Sequence, residues 1–229
     1  MKRLFYLPIL MLGIIIMASC NKESTNQEEE IEQDIFEAVD LGLSVKWASQ
    51  NLGAKSKYGF GDYYAWGETR PKSAFKRDQY IFGKSVPGYT KYNDIDNKTQ
   101  LDIEDDAART ILGKTWRIPT FSEIEELRNR CAWKWVEEIT EQGSLVKGFE
   151  ITGPSKKSIF IPMGEWDEDN QTHSQAYQSS NVEHYDLAVS LMAEDKDYSA
   201  VRGLYLETNR ANVFWGVRWV GRQIRAVAD

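Results

Sequence analysis

Reactive side chains are scarce in this sequence. Two cysteines, Cys20 and Cys131, and two histidines, His173 and His184, are all the thiol and imidazole that 229 residues offer. They suffice for only the barest Cys/His zinc site, and they cannot supply a disulfide scaffold. A Ser-His-acid triad would have to use His173 or His184. Both lie among polar residues with no nucleophile-elbow pattern nearby, and each reads as an exposed structural histidine. Glycoside hydrolysis needs two placed carboxylates; with 35 acids, coincidental pairs are assured and their presence decides nothing. Gly59 and Gly61 lack the following helical pattern that would aim amide donors at a phosphate.

Aromatic residues are more plentiful. Trp47, Trp66, Trp116, Trp133, Trp135, Trp166, Trp215 and Trp219 make eight tryptophans. Their faces can fill a core, stack on sugars or anchor a protein interface. Trp47, Trp66 and Trp116 are assigned to the core. Trp166 begins the acidic run Trp166-Asp167-Glu168-Asp169-Asn170. That run offers oxygens of the kind calcium takes, but it lacks the glycine of an EF-hand loop. It reads as a solvated acidic loop, and no metal or cofactor is expected. Trp166, Asp167, Asp169, His173 and Tyr177 together form the candidate ligand-binding patch.

The chain is 41% hydrophobic and 28% charged, which excludes a disordered tail and a multi-pass membrane protein. Its formal net charge is −7, so it should repel phosphate backbones, and no nucleic-acid partner is expected.

The N-terminus reads as an address. Lys2 and Arg3 precede an apolar stretch over 4–17, too short for a membrane span of about 20 residues but suited to a signal peptide. It closes on Met17-Ala18-Ser19-Cys20, which resembles a bacterial lipobox whose cysteine becomes the acylated (palmitate-type) N-terminus. Residues 1–19 are therefore expected to be removed as a lipoprotein signal peptide. That cut takes away two positive charges and no acid, moving the net charge from −7 to −9. Residues 20–38, with Glu28, Glu29 and Glu30, read as an acidic flexible tether. An acidic run this close to the lipid also resembles a surface-export signal of Bacteroides-group lipoproteins.

The body, 39–229, reads as one domain, with no dividing linker and no repeat of 20–50 residues. Alternation over 39–45 predicts a strand. The glycine- and aromatic-rich stretch 58–68 suits a tightly turning segment, and 69–100 reads as a long irregular excursion. Residues 102–112 read as a helix behind an acidic front, stopped by Gly113. Thr120-Phe121-Ser122-Glu123 has capping-box spacing and starts a helix with Ile124, Leu127 and Cys131 on one face. Segments 148–152 and 158–162 read as a hairpin around Gly153-Pro154. Alternation over 186–192 predicts another strand, and the apolar run 212–227 should close the sheet.

Several blocks carry a resemblance: Val39-Asp40-Leu41-Gly42-Leu43-Ser44-Val45-Lys46-Trp47-Ala48, Tyr63-Tyr64-Ala65-Trp66-Gly67-Glu68-Thr69, Glu104-Asp105-Asp106-Ala107-Ala108, and Trp116-Arg117-Ile118-Pro119-Thr120. Cys131-Ala132-Trp133, Ser158-Ile159-Phe160-Ile161-Pro162, Tyr177-Gln178-Ser179-Ser180 and Arg225-Ala226-Val227 follow in order. Together they resemble the Fibrobacter succinogenes major paralogous domain, a family of lipoproteins and surface proteins in Bacteroides-type bacteria. The resemblance implies an α+β, C-type-lectin-like fold: a small twisted antiparallel sheet, one or two flanking helices and long loops. The Trp116–Thr120 segment is also similar to one in formylglycine-generating enzymes, which share that fold. Their thiol chemistry needs a cysteine pair, and only Cys131 is present in the body. The calcium-binding triplets of sugar-binding C-type lectins do not occur. Gln50 stands where the family often carries a cysteine, so the pairing with Cys131 is lost. Gln178 replaces a family tryptophan, and Ala226 a family proline.

The expected function is a non-catalytic, cell-surface lipoprotein held in the outer membrane by lipid on Cys20 and facing the exterior. It would bind an extracellular glycan or protein through the segments 69–100 and 164–180. The alternative is a structural envelope protein that packs against surface partners and takes no small ligand. A formylglycine-generating-like or other enzyme is the least favoured reading.

Overall fold

Among the described residues of a computed structural model, 36–83, 88–93, 95–113, 115–140, 143–184 and 199–229, twelve strands and two α-helices carry the fold. These residues all belong to one compact unit, Gln33–Asp229. Cys20, most of the tether and the strand expected at 186–192 lie outside the described residues. In chain order the elements are β1 (Ala38–Val39), β2 (Lys46–Ala48), α1 (Ala107–Leu112), β3 (Trp116–Arg117), α2 (Phe121–Arg130), β4 (Ala132–Ile139), β5 (Leu145–Thr152), β6 (Ser158–Pro162), β7 (Trp166–Asp167), β8 (Thr172–His184), β9 (Ser199–Glu207), β10 (Arg210–Gly216), β11 (Gly221–Gln223) and β12 (Val227–Ala228).

They form three sheets, with strand orders β1-β2-β12-β3, β10-β9-β8-β11 and β4-β5-β6, and β7 pairs with β8 as well. Every pairing is antiparallel except β8 with β11. The architecture is α+β, mostly antiparallel sheet with few helices.

The β4-β5-β6 sheet follows from alternation. Trp133 and Trp135, two apart, lie on one face of β4 and meet Phe149 of β5 edge-on, with ring centroids 5.4 and 5.2 Å apart. The hairpin expected over 148–162 is β5 and β6, joined by a turn in which Lys156 N–H donates to Gly153 O (3.0 Å).

Helix α2 starts where its capping box places it. Thr120 Oγ1 accepts from Glu123 N (3.3 Å), and Thr120 N donates to Glu123 Oε2 (2.7 Å). Ile124 and Leu127 are buried beneath it. Cys131 is the C-terminal cap, half-buried and packed against the same core cluster as Ile124 and Leu127, and burial raises its thiol pKa. Helix α1 begins later than expected, at Ala107, because Asp106 is spent as its cap and accepts from Arg109 N (3.0 Å).

The strand expected over 39–45 stops at Val39, the last residue of β1. Gly42 takes φ +76°, and its N–H donates to Asp40 Oδ1 (2.8 Å), which bends the chain. Leu41 is buried all the same. Ser44 N then donates to Glu126 of α2 (3.0 Å) instead of to a neighbouring strand.

The described residues of 49–101 contain almost no regular structure, as their glycines and aromatics suggested. They enclose an aromatic cluster built on Trp66, Phe75, Tyr80, Phe82, Tyr89 and Tyr92, in which Trp66 and Tyr92 meet edge-to-face at 4.9 Å, as do Phe82 and Tyr92 at 5.5 Å.

Three arginines of the C-terminal run are buried, and one of them, Arg218, reaches into this irregular half. Arg218, Arg222 and Arg225 are 0%, 2% and 1% exposed. Arg218 donates to Lys91 O (2.9 Å) and to Tyr92 O, with its guanidinium over the Tyr89 ring at 4.1 Å. Arg222 donates to Val217 O (2.7 Å), and Arg225 to Ala48 O (3.1 Å) and Phe160 O (2.8 Å). Burial pushes the Arg222 and Arg225 guanidinium pKa down to about 10, still charged at neutral pH. Long planar donors here serve carbonyls that no ladder reaches.

Candidate functional site

The β7–β8 ribbon carries the patch predicted from sequence and divides it. Trp166 pairs across the ribbon with His173, and Asp167 with Thr172. Because side chains alternate between the faces of a strand, Trp166 and His173 share one face and Asp167 and Thr172 the other. Trp166, 36% exposed, lies over the His173 imidazole with ring centroids 3.9 Å apart. His173 is half-buried rather than exposed. Burial, and then the Arg222 charge, hold its pKa down to about 4, so it is neutral at physiological pH.

Tyr177 is not part of any surface patch. It is buried, donates to Pro162 O (2.5 Å) and accepts from Asn51 Nδ2 (3.2 Å). Four residues beyond His173 in the strand, its ring belongs to the core between the sheets. Asp169 lies in the exposed turn between β7 and β8. Asp167 accepts from Asn170 N (3.0 Å) and Asn170 Nδ2 (2.8 Å), and these bonds hold its carboxyl below the usual range. The acidic run is therefore a self-capped turn. His184, at the far end of β8, lies 3.1 Å from Lys98 O through Nε2.

The polar face of the ribbon opens onto a cleft of about 530 Å³. Asp167, Thr172 and Ser174 form one wall, and Gly61, Asp62, Tyr63, Pro71, Lys72 and Ser73 form the other. The second wall is pinned by main-chain bonds, within its own segment from Asp62 N to Leu52 O (2.9 Å), to β11 from Tyr64 N to Arg222 O (3.0 Å), and to the β7–β8 turn from Phe75 N to Asn170 O (3.0 Å). The Tyr63 and Ser174 hydroxyls share a hydrogen bond across the cleft, and burial raises the Tyr63 pKa. Lys72 is paired with buried Glu68. The cleft thus presents two carboxylates and four hydroxyls, with one ammonium already partnered. Such a lining can exchange hydrogen bonds with a polyhydroxylated ligand.

Asp62, Tyr63, Lys72, Ser73, Thr172 and Ser174 were not singled out from the sequence. Residues 71–73 and 167–174 do fall within the two segments expected to carry recognition, although 172–180 is strand rather than loop. The available signal was the alternation Thr172-His173-Ser174, which separates the two faces of the ribbon.

One further cluster has the composition of a cation site. Asp102, Glu104 and Asp105 bring carboxylate oxygens within 4.8 Å of one another. The cation there is the chain's own: Lys91 Nζ lies 2.8, 3.4 and 2.5 Å from the three residues. Of the tryptophans assigned to the core, Trp47 and Trp66 are buried, and Trp116 is half-buried against Phe36.

No family model, curated protein or solved structure matches the chain significantly.

Proposed function

We propose that this protein is a non-catalytic, cell-surface lipoprotein that binds an extracellular glycan in the cleft between residues 61–73 and the β7–β8 ribbon. The observation that carries the reading is the lining of that cleft, with Asp62, Asp167, Tyr63, Ser73, Thr172 and Ser174 around about 530 Å³. Carboxylate and hydroxyl groups on a fixed frame suit sugar hydroxyls, and an exposed ring such as Trp166 can extend the contact by stacking. The lipid anchor on Cys20, the outward-facing outer-membrane location and the C-type-lectin-like, Fibrobacter-paralogous fold rest on the sequence features given above.

A glycan array probed with the full chain, with and without calcium, tests this reading. The expected result is a hit that Asp167→Asn combined with Thr172→Val abolishes while the circular dichroism spectrum is unchanged. A blank array, or a hit that survives both substitutions, contradicts it. Cys20→Ala is expected to end lipid labelling and release the protein to the soluble fraction.

A second reading, docking to a surface protein, is favoured by the β4–β5 hairpin end. Ile139 and Leu145 pair across it and are 72% and 57% exposed.

A further inference from the structure

Strand β4 is one edge of the β4-β5-β6 sheet, and among the described residues no strand pairs with its outer side. It is eight residues long, and its ladder with β5 runs from Ala132 to Ile139 without a bulge. None of the eight residues is buried, and none is proline or glycine. Edge strands are commonly blunted by shortness, a bulge or a proline, and β4 has none of these.

Its unused backbone groups can be located. Thr140 N, just past the strand, donates to Ser144 O across the turn into β5 (2.9 Å). Successive residues of an antiparallel strand alternate between facing the partner strand and facing away. The N–H and C=O groups of Trp133, Trp135, Glu137 and Ile139 therefore point away from β5.

We propose that β4 is a dimerisation edge, which pairs antiparallel with β4 of a second copy of this chain in the register centred on Val136. A two-fold axis between two antiparallel strands sets each residue opposite one from the same face of the sheet. Centred on Val136, such a pairing places Lys134 opposite Glu138, twice by symmetry, and Trp133 opposite Ile139. The neighbouring symmetric registers lose this match. Centring on Trp135 sets Lys134 against Val136 and Trp133 against Glu137, and centring on Glu137 sets that acid against itself.

The charges are placed for this use. Lys134 is 76% exposed and only loosely paired with Glu150, at 3.7 Å. Glu137 has its own cation, Lys147 (3.1 Å), whereas exposed Glu138 has none among the described residues. Lys134 and Glu138 face β5 through their backbones, so across the new seam they meet as a non-hydrogen-bonded pair, in which side chains approach most closely. Ile139, 72% exposed, gains the Trp133 ring as cover. A lysine on an open edge discourages unmatched strands; a second copy supplies the acid that matches it. The cleft has no lining residue in β4, so the inference does not depend on the glycan reading.

Sedimentation velocity of the full chain over a concentration series tests the proposal, and a monomer–dimer equilibrium is expected. Lys134→Glu and Glu138→Lys, each alone, set like charges against each other at both pairs and should weaken the dimer about tenfold. Both positions are exposed, so the circular dichroism spectra should not change. Mixed in equal amounts, the two variants restore opposite charges at both pairs and should associate as tightly as the wild type. Val136→Cys would bring two Cα atoms to about 4.5 Å, and it should form an interchain disulfide above the background that Cys20 and Cys131 give in the wild type. A chain that stays monomeric, a dimer that either charge reversal leaves intact, or mixed variants that do not associate would overturn the proposal. Failure of the folded Val136→Cys chain to crosslink would overturn the register.

Discussion

The β4-β5-β6 sheet and the segment 49–101 solve the same problem in opposite ways. In the sheet, backbone groups satisfy one another through a continuous ladder, from Ala132 opposite Thr152 to Ile139 opposite Leu145. Among the described residues of 49–101 the backbone rarely repeats a conformation, and side chains serve carbonyls alongside scattered main-chain bonds such as Tyr64 N to Arg222 O. Asn51 Nδ2 and Gln223 Nε2 both serve Phe60 O, Trp66 Nε1 serves Ser179 O, and Arg218 serves the carbonyls of Lys91 and Tyr92. A ladder tolerates change at its exposed positions because the bonds are main-chain. An irregular segment depends on a few particular side chains, and it is this half that supplies one wall of the cleft.

Arg218→Met should break the comparison most sharply. It leaves one buried and one part-buried carbonyl unpaired at about 1–3 kcal/mol each, so a loss of about 3 kcal/mol in unfolding free energy is expected, read as a lower urea midpoint. A smaller effect comes from Lys91→Met, which strips the ammonium from Asp102, Glu104 and Asp105. Bonds to charged groups at this depth suggest a loss of about 1–2 kcal/mol.

That second substitution also changes the acid limb. The Lys91 and then Lys98 side chains hold the Asp102 carboxyl below its usual range. Its contribution is therefore complete above the unfolded value near 4 and is lost as pH falls through the lower folded value. Urea unfolding of Lys91→Met at a series of pH values, followed by tryptophan fluorescence, should show a smaller acid-induced loss of stability than in the wild type, so that the two proteins converge as the pH falls below about 4.

Thr120→Ala should cost about 1 kcal/mol through the lost cap; an unchanged denaturation midpoint would argue against the capping box. Ile139→Ser, at the ladder's exposed end, should stay within about 0.5 kcal/mol. A loss as large as that of Arg218→Met would erase the distinction between the two halves.

The same contrast explains what could be read from the sequence. The α2 start and the β5–β6 hairpin were legible because capping and turn chemistry are local. The bend at Gly42 was hidden because Leu41, Leu43 and Val45 keep strand alternation while Asp40 turns the backbone. Strand β4 went unread although Trp133 and Trp135 alternate with Lys134. The β7–β8 region was found, but not its sidedness. Tyr177 was placed on the surface patch because nothing local reveals that Asn51, 126 positions away, meets its hydroxyl. The cleft joins residues 61–73 to 167–174, and that juxtaposition depends on tertiary bonds such as Phe75 N to Asn170 O.

The central claim is that the irregular half is a fixed wall, able to hold a cleft open without a ladder. Native-state hydrogen exchange resolved to single amides tests it most directly. The Asp62, Tyr64 and Trp66 amides, which donate to Leu52, Arg222 and Arg218 carbonyls at 2.9, 3.0 and 2.9 Å, should be protected as strongly as those of Phe149 and Ile151 in β5. Exchange of those three amides at the rate of the exposed Gly143 turn would contradict it.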